Sequence, residues 1–172
     1  DSHKPYAIPV RYQVIDQQTG DVLVPETLFE LTEEIASISC SGVSARPVVS
    51  ILRGLSAPVK LEMDRQTSDL VALARFDDDG VNRWDAIQEL YMHAIKVFLE
   101  TPEASLDASL QQLICDLTQD PSTISDPACL SEMLTLPQDN ILWDALQPAD
   151  PQKILEARKR LRQRIALACL LY

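Results

Sequence analysis

The sequence has few of the residues that enzyme and ligand sites commonly require. Its 172 residues include only four glycines and two histidines. So few glycines leave no Gly-rich loop of the kind that cradles phosphate groups, and no G-x-S-x-G segment marks a nucleophilic serine. Neither His3 nor His93 belongs to the H-E-x-x-H motif of a zinc peptidase. The residues therefore indicate no catalytic, no cofactor-binding and no metal-binding side chain in this chain.

Both histidines have a simpler interpretation. His3 lies in a polar N-terminal stretch, where we expect a solvated side chain. His93 falls opposite the apolar stripe of its predicted helix, four residues after Glu89. Residues at this spacing are neighbours on a helix surface, so an exposed His93–Glu89 salt bridge is predicted.

The C-x-x-C motif is also missing from the sequence. Cys40, Cys115, Cys129 and Cys169 are separated by 75, 14 and 40 positions, so none forms the C-x-x-C pair of a zinc knuckle or a redox site. Spacing alone leaves disulfides open. Because each cysteine lies among apolar or small residues, we expect four reduced and mostly buried cysteines in a cytoplasmic protein.

Positive charge is scarce, and long apolar runs are absent. The net charge of −11 argues against a nucleic-acid partner, which requires a basic face for the phosphates. No apolar run approaches the roughly 18 residues of a membrane span, and no signal peptide is recognised before the first predicted strand. We therefore expect no membrane and no nucleic-acid partner. An exception to the acidity is KILEARKRLRQR (153–164), predicted to be the solvated face of an amphipathic helix.

The hydrophobic pattern changes period near residue 64. Between Tyr6 and Met63, five or six short β-rich runs, IASISC and VKLEM among them, are separated by turn signals, which is typical of a β-sandwich. From residue 65 the apolar residues follow helical spacing. The sequence predicts an all-β domain over 1–64, followed by an α-helical array over 65–172.

The helical half contains several apolar stripes and two clear helix starts. Asp126-Pro127 and Asp150-Pro151 each place an N-cap acceptor before a proline suited to the first helical position. Trp84 and Trp143 are interpreted as core anchors. The three stripes are Trp84, Ile87, Tyr91, Ile95 and Phe98; Leu106, Leu110, Leu113, Ile114 and Leu117; and Leu130, Met133 and Leu134.

The acidic run FDDDG (76–80) poses the question of a calcium site. An EF-hand loop aligned on Gly80 would place Arg75 at its first ligand position and Ala86 at its last, so two strong ligands are missing. A helix start explains the run better. Asn82 is predicted to cap a helix that begins at Arg83, with Asp85 near the positive end of the helix dipole.

Two stretches resemble a known family. LSAPVKLE (55–62) and DDDGVNRWDAIQ (77–88) resemble the junction in bacterial aminopeptidase N, the alanyl aminopeptidase group of the zinc gluzincins. There a strand of the form F-S-A-P-V-K-L leads through an acidic turn to an N-R-W-[DE]-A-x-Q helix. Weaker similarity extends through SEMLTLPQDN (131–140) and DPQKILEAR (150–158) and back to IPVRYQVID (8–16), so the resemblance covers nearly the whole chain.

The resemblance implies a partial Ig-like sandwich and the first helices of the C-terminal helical domain. In that family a single zinc ion serves the removal of N-terminal residues from peptides, and the chemistry needs H-E-x-x-H, a downstream glutamate and a G-x-M-E-N segment. None of these is present, so no catalytic residue can be transferred to this chain. The implied role is architectural, linking the catalytic domain to the helical domain that encloses the approach to the active site.

This interpretation makes the chain an inactive fragment. Its expected partners are the catalytic and remaining C-terminal domains, and exposed strand edges or the last helix would lead to self-association. Peptide substrates and zinc would belong to the longer enzyme. The alternative is a free-standing protein-binding module that uses the basic last helix.

Overall fold

The computed structural model describes residues 6–43, 45–124, 126–148 and 150–170. Strands come first and helices follow, which confirms the predicted order. The chain separates into two compact units, Asp1–Arg83 and Trp84–Tyr172, with the boundary inside α2. The elements are β1 (Ile8–Asp16), β2 (Val22–Leu31), β3 (Pro47–Ile51), α1 (Thr67–Phe76), α2 (Gly80–Glu100), α3 (Ala108–Gln119), α4 (Pro127–Met133), α5 (Asp139–Ala145) and α6 (Pro151–Leu170).

The strands form one antiparallel sheet in the order β2-β1-β3. The central strand β1 has hydrogen-bonded neighbours on both sides, and its residues 12–15 are buried. The outer edges of β2 and β3 have no strand partner within the described residues. Open edges of this kind are ready to pair with another strand.

A tight turn joins β1 to β2. The Asp16 carboxylate accepts hydrogen bonds from the backbone N–H groups of Gln18, at 2.7 Å, and Thr19, at 3.1 Å. Gly20 follows with φ of +76°, a left-handed conformation that favours glycine. A Cβ atom at Gly20 would lie only 2.6 Å from the Phe76 side chain at the end of α1, so the turn also packs closely against the first helix.

Two predicted strands do not form. The run IASISC (35–40) is irregular and exposed, so it has no buried face that a neighbouring strand could cover. The run VKLEM (59–63) is also irregular. At its start, Val59 N–H donates to Ala57 O in a tight turn, and Pro58 between them has no N–H for a ladder. The runs VLVP (22–25) and TLFEL (27–31) join into the single strand β2, so three strands rather than five or six make up the described sheet.

The helical spacing is confirmed, but the tryptophan prediction is wrong. Ile87, Tyr91, Ile95 and Phe98 of the first stripe are buried, as are Leu110, Leu113, Ile114 and Leu117 of the second. Trp84 is instead 37% exposed and Trp143 is 41% exposed. Spacing places Trp84 on the apolar stripe, but it does not determine whether another element covers that end of the helix.

Both predicted helix starts are confirmed. The Asp126 carboxylate accepts the N–H of Ala128 at 2.9 Å, and α4 begins at Pro127. The Asp150 carboxylate accepts the N–H of Gln152 at 2.8 Å, and α6 begins at Pro151. These bonds satisfy backbone donors that have no partner within the first helical turn.

The cysteines differ from expectation in their burial. All four are free thiols, but only Cys115 is buried. Cys129 and Cys169 are partly exposed, and Cys40 is exposed in the irregular segment between β2 and β3. The prediction of mostly buried cysteines is therefore wrong. Cys40 lies outside any strand or helix, and Cys129 and Cys169 lie in α4 and α6 but are only partly covered, because apolar neighbours in sequence do not determine which face of a helix is buried.

None of the helices within the described residues combines the length and the apolar character that crossing a membrane requires.

Candidate functional site

A backbone bend after β3 places a charged residue inside the first unit. Leu52, Gly54 and Leu55 have φ values of 57°, 60° and 53°, and residues 53–55 form a short 3-10 turn. Left-handed conformations cost a non-glycine residue roughly 1–2 kcal/mol each. Within this bend, Arg53 is only 4% exposed. A buried arginine needs partners for its charge and for its five N–H groups.

The Arg53 guanidinium contacts four side chains. Its Nε donates to Glu26 Oε2 at 2.9 Å, and its Nη1 donates to Ser50 Oγ at 3.0 Å and to Asp77 Oδ1 at 2.5 Å. Its Nη2 donates to Asp78 Oδ1. We call these five residues the Arg53 cluster. It joins β2, β3 and the end of α1 through charge-assisted hydrogen bonds, which are stronger than neutral ones.

The surrounding carboxylates compensate the buried charge of Arg53. Burial on its own lowers the pKa of the guanidinium, but the hydrogen bonds to Glu26 and Asp78 and the charge of Asp77 outweigh burial and raise the pKa above its ordinary value. Asp77 is 1% exposed, so its charge also lies inside the protein. The cluster is therefore a buried ion pair, extended by two carboxylates that reach solvent.

The third aspartate of the acidic run begins α2. Asp79 Oδ1 accepts the N–H groups of Val81 and Asn82, both at 3.0 Å, and Asp79 Oδ2 accepts the N–H of Gly54 at 2.6 Å. The helix begins at Gly80. The prediction that Asn82 caps a helix starting at Arg83 is therefore wrong, because the Asp79 carboxylate already serves the first free N–H groups.

Asn82 and Arg83 instead tie the start of α2 to neighbouring backbone. Asn82 Nδ2 donates to Ser50 Oγ at 2.7 Å and to Ile51 O at 3.1 Å, at the end of β3. Arg83 Nε donates to Ala74 O and its Nη2 donates to Arg75 O, both at 3.0 Å. A guanidinium at these carbonyls satisfies the C-terminal end of α1, where positive charge is favoured.

These contacts answer the question raised by the acidic run. Asp77 and Asp78 bind Arg53, and Asp79 binds three backbone N–H groups. Throughout the part of the chain that the structure describes, no group of three His, Cys, Asp or Glu side chains could hold a metal ion. The role of the three aspartates is therefore structural: they bind the Arg53 side chain and the backbone N–H groups of Gly54, Val81 and Asn82. The Arg53 cluster contains no nucleophile with an adjacent base.

The histidines and the basic helix are the remaining features singled out in the sequence, and His93 and α6 belong to the second unit. His93 Nε2 lies 3.9 Å from Glu89 Oε1, and the His93 side chain is 41% exposed, which confirms the predicted pairing. His3 lies outside the described residues. Along the basic helix α6, an open groove of about 600 Å³ is lined by Pro102, Glu103, Arg160, Gln163, Arg164, Ala166, Leu167 and Leu170.

Sequence reasoning missed Arg53. The residue stands 24 positions before Asp77, and no spacing rule connects residues that far apart. A signal was nevertheless present, because Arg53 interrupts the apolar run PVVSILRGL (47–55) and three aspartates follow the next helix. A charged residue that is buried just after a half-buried strand requires a partner of opposite charge.

Two family profiles match the chain in succession. Residues 1–64 match a domain of unknown function, DUF3458, described as an Ig-like fold. Residues 67–170 match the domain of unknown function DUF3458_C, described as ARM repeats, and this match alone covers more than half of the chain. The chain belongs to this family. The predicted fold class, an Ig-like β domain followed by a helical array, is confirmed.

Curated relatives named aminopeptidase N align over most of the chain. The protein of Caulobacter vibrioides is 32% identical over 86% of this chain and 17% of its own length. That of Escherichia coli is 31% identical over 95% of this chain and 19% of its own length, and that of Haemophilus influenzae is 29% identical over 87% and 17%. The resemblance to aminopeptidase N is confirmed, and the chain spans less than a fifth of the length of these relatives.

A solved structure has the same fold. The crystal structure of Legionella pneumophila aminopeptidase A in complex with aspartic acid aligns with a TM-score of 0.80 and 24% identity. The alignment covers 97% of this chain and 19% of that one. The likeness extends across both family matches.

Zinc, which the aminopeptidase resemblance implies for a longer enzyme, does not fit the described residues. A catalytic zinc requires three protein ligands around an open position. His93 is engaged with Glu89, and the carboxylates of residues 77–79 are engaged with Arg53 and backbone N–H groups. No zinc ligand is therefore assigned to this chain.

Proposed function

We propose that the chain is a non-catalytic segment of a zinc aminopeptidase, and that it connects the catalytic domain to the helical domain. The activity proposed for the longer protein is the removal of N-terminal residues from peptides in the cytoplasm. The similarity to aminopeptidase N over most of the chain supports this proposal. The partners are then the neighbouring domains of the same protein, and the peptide substrates bind elsewhere in it.

The Arg53 cluster carries the architectural part of the proposal. Glu26, Ser50 and Arg53 belong to the Ig-like family match, whereas Asp77 and Asp78 belong to the ARM-repeat match. One buried guanidinium therefore connects residues from the two family domains. Because an ion pair broken inside a protein leaves an uncompensated charge, this connection holds the first residues of the ARM-repeat match to the sheet, within the first compact unit.

A chimera tests the proposal. The segment of Escherichia coli aminopeptidase N that aligns with this chain is replaced by residues 1–172, and zinc content and hydrolysis of an alanyl arylamide are measured. We expect a folded chimera with bound zinc and turnover, whereas the 172-residue chain alone should have neither. Turnover by the isolated chain with stoichiometric zinc would refute the non-catalytic role.

A second arm of the experiment tests the connection. The chimera carrying Arg53→Met should lose activity at a lower temperature than the unmodified chimera, and Arg11→Met, at an exposed ion pair, should leave this temperature nearly unchanged. Equal inactivation temperatures for all three would show that the cluster does not stabilise the connection.

The exposed charge of α6 favours one alternative, a free-standing module that binds an acidic protein partner. Lys153, Lys159, Arg162 and Arg164 are exposed on this helix. Rim charges of this kind raise association rates and make binding sensitive to salt. A chimera that stays unfolded, together with salt-dependent binding of the isolated chain to an acidic peptide, would favour the module.

A further inference from the structure

Two thiols from distant parts of the sequence meet between α3 and α6. Cys115 and Cys169 are 54 positions apart, and their Sγ atoms lie 3.8 Å from each other. The two helices pack together within the second unit. Neither cysteine belongs to a C-x-x-C motif, so only the packing of the helices creates the pair.

The surroundings give the two thiols different accessibility. Cys115 is 1% exposed, whereas Cys169 is partly exposed in the last turn of α6. The Thr118 hydroxyl lies 3.9 Å from Cys169 Sγ and also contacts the carbonyls of Ile114 and Cys115 at 2.9 Å. Exposed thiols react with external disulfides far more readily than buried ones. Cys169 is therefore the entry point and Cys115 the partner that is already in place.

We propose that Cys115 and Cys169 form a thiol-oxidation site that takes a low-molecular-weight disulfide, such as oxidised glutathione, and becomes an intramolecular disulfide. The Cys169 thiolate, its proton lost to solvent, attacks one sulfur of the small disulfide. This step forms a mixed disulfide on Cys169 and releases one thiolate. Cys115 then loses its proton and attacks Cys169 Sγ, which forms the protein disulfide and releases the second thiolate. Two protein thiols are oxidised and one external disulfide is reduced.

The geometry permits the second step with a small movement. A disulfide requires an S–S distance near 2.05 Å, so the two sulfurs must approach by about 1.8 Å. Burial raises the pKa of the Cys115 thiol, which makes its attack the slower step. The bond would fix the end of α6 to α3, which is the only change in connectivity that the oxidation makes.

The test uses the chain with Cys40→Ser and Cys129→Ser, so that only the two proposed thiols remain. After incubation with oxidised glutathione, we expect a mass lower by two hydrogen atoms and a disulfide-linked peptide pair that contains Cys115 and Cys169. Oxidation should also raise the Tm by on the order of 5 to 10 °C, since the bond closes a long loop. A stable glutathione adduct on Cys169 with Cys115 reduced, or no reaction at either thiol, would overturn the proposal.

A trapping variant separates the two steps. With Cys115→Ser added to the same background, the mixed disulfide should persist on Cys169, because its resolving partner is gone. With Cys169→Ser added instead, glutathione incorporation should fall at least tenfold, because Cys115 is buried. Circular dichroism of each reduced variant verifies the fold. Equal glutathione incorporation in these two variants would contradict the assigned order of attack.

Discussion

At the residue scale, Arg53 shows how much a single buried charge can organise. Its guanidinium donates hydrogen bonds to the carboxylates of Glu26 on β2 and Asp77 after α1, and to the hydroxyl of Ser50 on β3. Burying such a pair gives little net stability, because desolvation offsets much of the attraction. Removing one partner has a larger effect, since the other charge is left without compensation.

Arg53→Met should therefore destabilise the chain by about 3–5 kcal/mol, because Asp77 would remain buried without its cation. Urea unfolding followed by circular dichroism measures the change. Arg11→Met is the matched control, since Arg11 also approaches Glu26, at 3.7 Å, but with a side chain that is 55% exposed. The control should lose less than about 1 kcal/mol. Similar losses for both variants would mean that burial does not set the importance of Arg53.

Tyr91 gives the second prediction at this scale. Its hydroxyl is buried and donates to Met133 O at 3.0 Å, and burial, with a smaller contribution from Cys169, raises the pKa of this phenol above its ordinary value. An acid with a raised folded pKa contributes stability below its unfolded pKa, near 10, and loses that contribution as pH rises toward the folded pKa. Unfolding free energy should thus fall above about pH 10, and Tyr91→Phe should reduce the slope. Parallel pH profiles for the two proteins would contradict this.

At the element scale, the turn between β1 and β2 depends on its glycine for two reasons. Gly20 has a positive φ, and a Cβ at this position would meet Phe76 at 2.6 Å. Gly42 has nearly the same φ, +77°, but open space within 4 Å. The two positions therefore separate the backbone requirement from the packing requirement.

Gly42→Ala should cost roughly 1–2 kcal/mol for the left-handed conformation. Gly20→Ala should cost a further 1–3 kcal/mol or so, because α1 and the turn must move apart to accommodate the methyl group. Thermal unfolding of both variants measures the difference between them. If the two variants have the same unfolding temperature, the contact between Phe76 and the turn does not contribute to stability.

The helix elements show where sequence reasoning succeeds and where it fails. The sequence predicts Asp126 and Asp150 as caps because their carboxylates and the N–H groups that they bind are within one turn of each other. The start of α2 lies three residues before the predicted one, because both Asp79 and Asn82 are acceptable cap residues and local spacing does not distinguish them. The contacts of Asn82 with the end of β3, more than thirty residues earlier, decide between them.

At the scale of the whole molecule, exposed edges and apolar residues point to association. Within the described residues, β2 and β3 have open outer edges, and Leu155, Leu167 and Leu170 of α6 are 41%, 54% and 81% exposed. Both features are common where other protein surfaces pack. In the proposed longer protein these surfaces would contact the neighbouring domains.

The isolated chain should therefore self-associate at high concentration. Sedimentation velocity over a concentration series measures the association, and the double variant Leu167→Glu/Leu170→Glu distinguishes the two surfaces. Weaker association of the double variant would assign the contact to α6, and unchanged association would assign it to the sheet edges. A monomer at every concentration would contradict the prediction.

The sequence by itself was enough to predict the order of strands and helices, the capped helix starts and the family resemblance. Each of these rests on short local patterns, in which the relevant side chains lie within a few positions of one another. The division into domains at residue 64 stays a prediction. Tertiary structure alone decided that Arg53 meets Asp77 and that Cys115 meets Cys169, 24 and 54 positions apart. Such pairs depend on the direction of the backbone after each bend and on the packing of whole helices. No local pattern of residues encodes either one.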